Sequence, residues 1–179
     1  HHKEKNLNLS PEIEHIRPTV FWILLLLIVL LGGHLRWNLA TGSLWWEEIN
    51  FIENATNEIS SKDWRETLWM HQKQNECPPL ATAIKISQSI WQTKTKSDEF
   101  GVHELAIRSP SFILSILSIL IIGLLVKRWG FSIGALGSAL FLAMHPWHIR
   151  HGTELGSTGV IIFLTLLGSL WLTYAINDN

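Results

Sequence analysis

Four apolar stretches alternate with polar segments, and this alternation is the strongest structural signal in the chain. Charged side chains are nearly absent from 19–33, 109–126, 129–144 and 155–176 and are concentrated between these stretches. A helix needs about 20 apolar residues to cross a hydrocarbon core of roughly 30 Å. The first stretch reaches that length only with Leu35 and its neighbours, whereas the others are long enough by themselves. The pattern therefore predicts an all-α membrane protein with four transmembrane helices.

These stretches and the polar segments between them divide the chain into seven parts. The predicted parts are an arm at 1–18, transmembrane helices at 19–36, 109–127, 129–146 and 155–176, a long loop at 37–108 and a turn at 147–154. Cytoplasmic loops carry an excess of Lys and Arg. Basic residues lie in the arm and at Lys127 and Arg128, between the second and third helices. We therefore expect an integral membrane protein with both termini cytoplasmic and with the loop 37–108 extracytoplasmic.

A secretory signal peptide is the alternative interpretation of the first stretch, because a charged segment precedes it. The segment 32–41 contains no Ala-x-Ala cleavage site, so a retained helix is favoured. The net charge of −1 predicts nothing about nucleic acid, but the lack of a basic surface interleaved with aromatics predicts no nucleic-acid partner. Cys77 is the single cysteine, which excludes an internal disulfide and a cysteine-built metal site.

Helical periodicity extends into the long loop. Apolar residues recur at helical spacing from 49 to 59, and again from 80 to 91 after the break at Pro78-Pro79. This spacing predicts amphipathic helices that lie along the membrane interface. Small residues that let membrane helices approach closely are expected at two helix contacts. They are Ser111, Ser115 and Ser118 in the second span, and Gly130, Gly134, Gly137 and Ser138 in the third.

An acidic pair, Glu47 and Glu48, follows two tryptophans shortly after the first apolar stretch. Carboxylates at the membrane–water boundary, at a depth fixed by aromatics, are typical of a site that acts on a lipid-borne substrate. The alternative is that they only favour the dipole at the start of a helix.

The turn His145–Glu154 contains three histidines and a glutamate at three-residue spacing. On an α-helix each three-residue step rotates about 300°, so His145 and Glu154 would face opposite ways. Two of the four could still share a divalent metal ion with a carboxylate of the first loop. The candidate ligands are Glu47, Glu154, His148 and His151, and the alternative is a polar turn without a metal.

Arg108 opens the second span, where the helix dipole opposes a positive charge. An anion held there, such as a phosphate or a carboxylate, would explain the arginine. The alternative is an arginine that extends from the helix start toward water. Asn54-Ala55-Thr56 matches a glycosylation sequon, a three-residue pattern that is frequent by chance.

Four motifs in this order resemble the N-terminal part of integral-membrane glycosyltransferases of the C superfamily, which includes protein O-mannosyltransferases and lipid A aminoarabinose transferases. The motifs are Ser43-Leu44-Trp45-Trp46-Glu47-Glu48, Cys77-Pro78-Pro79-Leu80, Arg108-Ser109-Pro110-Ser111, and His145-Pro146-Trp147-His148 followed by Glu154. The similarity covers about residues 19–175. Glu47 stands where the family usually has Asp, and Gly156 and Thr158 stand where many relatives have Arg and Tyr.

The resemblance implies transfer of a sugar from a polyprenyl-phosphate donor at the extracytoplasmic face, by this chain or by a longer protein that contains it. It implies catalytic roles for Glu47, Glu48 and Glu154, with a general base or metal partner among them. Arg108 and Arg150 would hold the donor phosphate. Membrane lipid is therefore an expected partner of the chain.

A different class of function is a non-catalytic subunit that keeps this scaffold and serves a larger membrane complex through other membrane subunits. A haem or pigment subunit is a remoter variant of it. His34, His145 and His148 lie near span ends, where they could act as axial ligands.

Overall fold

The structure, a computed structural model, describes residues 16–42, 48, 80, 82–84, 86, 87, 90 and 104–177. These residues are helical almost throughout and include no strand, which confirms the predicted all-α class. The helices in the described part are α1 (Pro18–Ala40), α2 (Glu104–Arg128), α3 (Ser132–Met144), α4 (Pro146–Thr153) and α5 (Ser157–Asn177). The predicted helix from 49 to 59 and most of the loop 37–108 lie outside the described residues.

Three of these helices are long and apolar enough to cross a membrane. The candidate spans are Pro18–Ala40, Leu105–Arg128 and Ser157–Ile176. The predicted third span, 129–146, contains the 13-residue helix α3. At 1.5 Å per residue such a helix is about 20 Å long, less than the hydrocarbon thickness. Length and composition thus indicate a membrane protein, and the four-span arrangement stays a prediction.

Proline and glycine determine several helix ends. Pro18 and Pro146 occupy the first turns of α1 and α4. An N–H there has no intrahelical acceptor, so the N–H that proline lacks is not needed. Lys127 and Arg128 lie in the last turn of α2, where the helix dipole favours cations. Gly130 then has a φ of 93°, a left-handed conformation that glycine adopts without strain. The chain can therefore reverse within three residues before α3 begins.

The core between α1, α2 and α3 depends on small side chains. Ala135, Ala139 and Ala143 of α3 are fully buried and pack with Phe21, Leu25 and Ile119. Ser111, Ser115 and Ser118 are buried on α2, as their spacing predicts. The glycine prediction for α3 is wrong, because Gly134 and Gly137 are exposed and a Cβ on Gly137 would meet nothing within 4 Å. The alanines form the close-packed face instead, at four-residue spacing.

A second apolar cluster lies at the N-terminal ends of α2 and α5. It contains Leu80, Ile84, Ile107, Leu155 and Val160. The described residues between 80 and 90 are helical. Their buried side chains are those of Leu80, Ile84 and Ser87, whereas Ile86 and Ile90 are exposed. One face of this segment therefore packs on the starts of α2 and α5.

Candidate functional site

Arg108, near the start of α2, forms a buried ion pair with Glu48 of the first loop. Its Nη2 donates to Glu48 Oε2 at 2.5 Å, and its Nε donates to Oε1 at 3.1 Å. Both side chains are at most 3% exposed. A two-bond guanidinium–carboxylate pair fixes orientation as well as charge. Sixty residues of sequence separate the partners, so the pair attaches the first loop to α2.

The same pair contacts two further parts of the bundle. Arg108 Nη1 donates to the carbonyls of Leu39 at 2.7 Å and Gly42 at 2.6 Å, at the C-terminal end of α1. Such carbonyls carry partial negative charge and lack intrahelical donors. Glu48 Oε1 also accepts from the backbone N–H of Leu155, just before α5, at 3.1 Å. Arg108 and Glu48 thus join the end of α1, the start of α2 and the link between α4 and α5.

The C-terminal end of α4 carries a second charged group. Arg150 Nε donates to Glu154 Oε1 at 2.8 Å, and His151 Nδ1 lies 3.0 Å from Glu154 Oε2. Arg150 is 60% exposed and Glu154 is 20% exposed. Unlike Glu48, Glu154 therefore remains accessible from outside the bundle.

A cleft of about 220 Å³ lies where the two charged groups meet. It is lined by Leu39, Arg108, Arg150, Thr153 and Glu154. Two guanidinium groups from different helices therefore border one small space, beside an acid. Such a space suits an anion such as a phosphate or a carboxylate.

The structure brings four of the predicted site residues to this region, namely Glu48, Arg108, Arg150 and Glu154. Glu47 lies outside the described residues. Of the predicted metal ligands, His151 and Glu154 are adjacent, whereas His148 bonds to Arg36. No group of three or more His, Cys, Asp or Glu that could hold a metal occurs in the described part of the chain. The metal stays a prediction that would need Glu47.

Arg36 is a buried charged residue that the sequence reasoning missed. Its guanidinium bonds to the backbone carbonyls of Gly32, Leu142 and Ala143, to the hydroxyl of Ser115 and to the ring of His148. An arginine inside an otherwise apolar helix marks a functional or structural role, because burying it without partners is costly. That signal was present in the sequence, at the end of the predicted span 19–36.

His148 is held neutral by its surroundings. Arg36 can only donate, so the 2.6 Å contact from Arg36 Nη2 makes His148 Nδ1 the acceptor and puts the ring proton on Nε2. Burial, together with the charges of Arg36 and His145, lowers the pKa of His148 to about 4. His148 therefore serves at neutral pH as an uncharged acceptor.

Comparisons with protein-family models, with curated proteins and with solved structures give no match. The resemblance to C-superfamily glycosyltransferases therefore stays a prediction from the four motifs. Function has to be inferred from the residues around the cleft and from the membrane-spanning character of the helices.

Proposed function

We propose that the cleft binds the phosphate of a polyprenyl-phosphate sugar, and that the chain is all or part of a membrane glycosyltransferase. The observation that carries this proposal is the position of Arg108 and Arg150 on two sides of one cleft beside Glu154. Arginine suits phosphate because its planar donors match the phosphate oxygens. Helices long enough to cross a membrane stand beside the cleft, as a donor with a lipid tail requires.

The proposed reaction joins an acceptor hydroxyl or amine to the anomeric carbon of the sugar. The bond between that carbon and the phosphate oxygen breaks, and the electron pair leaves with the lipid phosphate. A carboxylate accepts the proton of the nucleophile, and the guanidinium of Arg150 stabilises the charge on the departing phosphate, with the buried charge of Arg108 at the wall of the cleft. The reaction would take place at the extracytoplasmic face.

The three candidate acids have different surroundings. Both oxygens of Glu48 accept hydrogen bonds from Arg108, and the side chain is buried. We therefore assign Glu48 to positioning Arg108, and the general base to Glu154 or to the neighbouring Glu47. Glu154 lines the cleft, although Arg150 and His151 already bind its oxygens.

The burial of Glu48 also favours the second candidate, a non-catalytic membrane subunit. An acid whose oxygens are bound by Arg108 and Leu155 joins helices whether or not chemistry follows. In that case the cleft would bind a lipid phosphate without turnover, or bind none.

Transfer assays on the protein in lipid nanodiscs test the proposal. The donors are polyprenyl-phosphate hexoses and pentoses with a radiolabelled sugar, and labelled product is measured. We expect transfer by the unmodified protein, no transfer by Glu154→Gln or Glu47→Gln, and normal transfer by the control Arg128→Gln, which lies at the other end of α2. Normal transfer by both acid variants would refute the site. Donor binding without transfer by the unmodified protein would support the subunit instead.

A further inference from the structure

Arg36 is a fully buried arginine that has no carboxylate partner among the described residues. Within the described part of the chain its partners are three carbonyls, a serine hydroxyl and a neutral histidine. A buried guanidinium is tolerated only when all its donors are engaged. Here each of its three nitrogens has a partner, and these partners come from α1, α2, α3 and α4.

Pro146 explains why two of the carbonyls are available. In an unbroken helix the carbonyl of Leu142 would accept from the N–H of residue 146, and that of Ala143 from residue 147. Pro146 has no N–H, and α3 ends at Met144 with His145 in an extended conformation. Arg36 Nη2 donates to Leu142 O at 3.2 Å, and Nη1 donates to Ala143 O at 2.9 Å. Arg36 thus caps the negative end of α3.

A second proline break in the same bundle is capped without a charge. Pro110 lies inside α2, so the carbonyl of Ala106 has no N–H four residues ahead. The hydroxyls of Ser87 and Ser109 lie 2.6 Å and 3.1 Å from that carbonyl oxygen and 2.7 Å from each other, so a serine hydroxyl donates to it instead. A neutral hydroxyl is therefore sufficient for a cap. The guanidinium at the other break has partners in addition to the carbonyls that it caps.

The additional partners of Arg36 lie where α4 meets α2. His148 belongs to the first turns of α4 and accepts from Nη2 at 2.6 Å, and Ser115 of α2 accepts from Nε at 2.8 Å. One turn after His148, Gly152 packs directly on Ser115. A Cβ at Gly152 would overlap the Ser115 side chain. Arg36 is thus bonded beside a close contact between α4 and α2.

We infer that Arg36 is a positioning residue that sets the direction in which α4 leaves the end of α3. It holds the two sides of the Pro146 break at once, through the α3 carbonyls and through His148. The helix fixed in this way carries Arg150, Thr153 and Glu154 to the cleft. The effect on a bound ligand rests on the proposed function, whereas the effect on α4 does not.

Hydrogen exchange in nanodiscs, with the variants Arg36→Gln, Pro146→Ala and the double variant, tests this inference. For Arg36→Gln we expect exchange of the amides of 147–153 to rise about tenfold while those of α5 change less than about twofold, because the loss is local. In Pro146→Ala a new N–H can donate to Leu142 O. The same Arg36 change should then raise exchange less than about threefold.

Two results would overturn the inference. One is an equal rise in α5, which would mean that Arg36 stabilises the whole bundle and not α4. The other is the same tenfold rise in both backgrounds, which would mean that Arg36 and the Pro146 break are independent. If Arg36→Gln does not fold, Arg36→Lys keeps the charge and some donors, and an intermediate rise of about threefold is expected. If amide exchange of 147–153 does not rise in Arg36→Lys, the planar guanidinium is not needed to cap α3, which would also count against the inference.

Binding of undecaprenyl phosphate separates this inference from the proposed function. If the role of Arg36 and the phosphate site are both correct, Arg36→Gln should weaken binding of undecaprenyl phosphate about fivefold or more, because Arg150 is no longer fixed at the cleft. If the unmodified protein binds no undecaprenyl phosphate but exchange behaves as expected, the proposed function fails and the role of Arg36 stands. If Arg36→Gln raises exchange only in 147–153 but leaves binding of undecaprenyl phosphate unchanged, the proposed effect of α4 on the ligand is refuted.

Discussion

Arg36 and Arg108 are both buried, and both cap the C-terminal end of a helix, yet their charges are balanced differently. Arg108 has the carboxylate of Glu48 in addition to the carbonyls at the end of α1. Arg36 has the carbonyls at the end of α3, a hydroxyl and a neutral ring. Among the described residues, backbone dipoles and neutral acceptors therefore take the place of a counter-ion at Arg36. Arg108 lines the cleft, whereas Arg36 does not.

Removal of Arg108 should be the most damaging change. Arg108→Met leaves the Glu48 carboxylate buried without its cation, and loss of one partner of such a pair costs about 3–5 kcal/mol. We expect the free energy of unfolding to fall by about that amount, or the protein not to accumulate. Reversible unfolding in mixed micelles measures it.

Arg36→Met is the matched comparison for that experiment. It removes the donor of the Leu142 and Ala143 carbonyls and of the His148 ring, so we expect a loss of about 1–3 kcal/mol for each acceptor that stays unpaired, without the further cost of a buried unpaired charge. A larger loss for Arg36→Met than for Arg108→Met would contradict the distinction between the two arginines.

Acidification should weaken the Arg36 region through His148. The unfolded state takes up a proton near the ordinary pKa of 6.5, whereas the folded state does so near 4. The contribution to stability is therefore complete above about pH 6.5 and is lost as the pH falls toward 4. The loss is on the order of 3 kcal/mol.

Unfolding measured from pH 7.5 to 4 checks this pH dependence. His148→Asn keeps an acceptor for Arg36 but does not titrate, so its stability should vary less with pH than that of the unmodified protein. The same steep loss in both proteins would show that another group is responsible.

The contact between α4 and α2 can be tested at two helical glycines. Gly152→Ala would place a methyl group against the short side chain of Ser115, and we expect a cost of about 1–3 kcal/mol. Gly168→Ala in α5 is the control, since its Cβ would meet nothing within 4 Å. The difference between the two free energies of unfolding is the informative quantity. Equal values would mean that α4 does not pack on Ser115 as described.

Arg150 should contribute least to stability. Its bond to Glu154 is largely exposed and spans one helical turn, and such pairs contribute about 0.3–0.5 kcal/mol. Arg150→Gln is therefore expected to unfold almost like the unmodified protein. A loss above about 1 kcal/mol would place Arg150 among the structural residues and remove it as a selective probe of the cleft.

The apolar stretches predicted the helical architecture well because hydrophobic length is a local property. The start of α1 at Pro18 and the buried serines of α2 followed from the pattern. The short length of α3 did not follow from the pattern, because α3 ends before the break at His145-Pro146.

The site was predictable only in part. Glu48 and Arg108 were each named from the sequence, but no local pattern could pair residues 60 positions apart. Arg36 was missed because its acceptors are backbone carbonyls, which are available only once Pro146 has interrupted the helix. Glycines were chosen for the α3 contact because small residues were counted without knowing which face is buried. Tertiary contacts decide each of these points.

Binding of undecaprenyl phosphate in nanodiscs, measured with Arg150→Gln and Arg128→Gln, tests the central claim most directly. Both variants remove one arginine, but Arg150 lines the cleft and Arg128 lies beside Tyr174 at the far end of α2. We predict saturable binding that weakens about tenfold in Arg150→Gln, as expected for a lost charged hydrogen bond to phosphate, and does not change in Arg128→Gln. No saturable binding, or equal binding by the two variants, would contradict a phosphate site at the cleft.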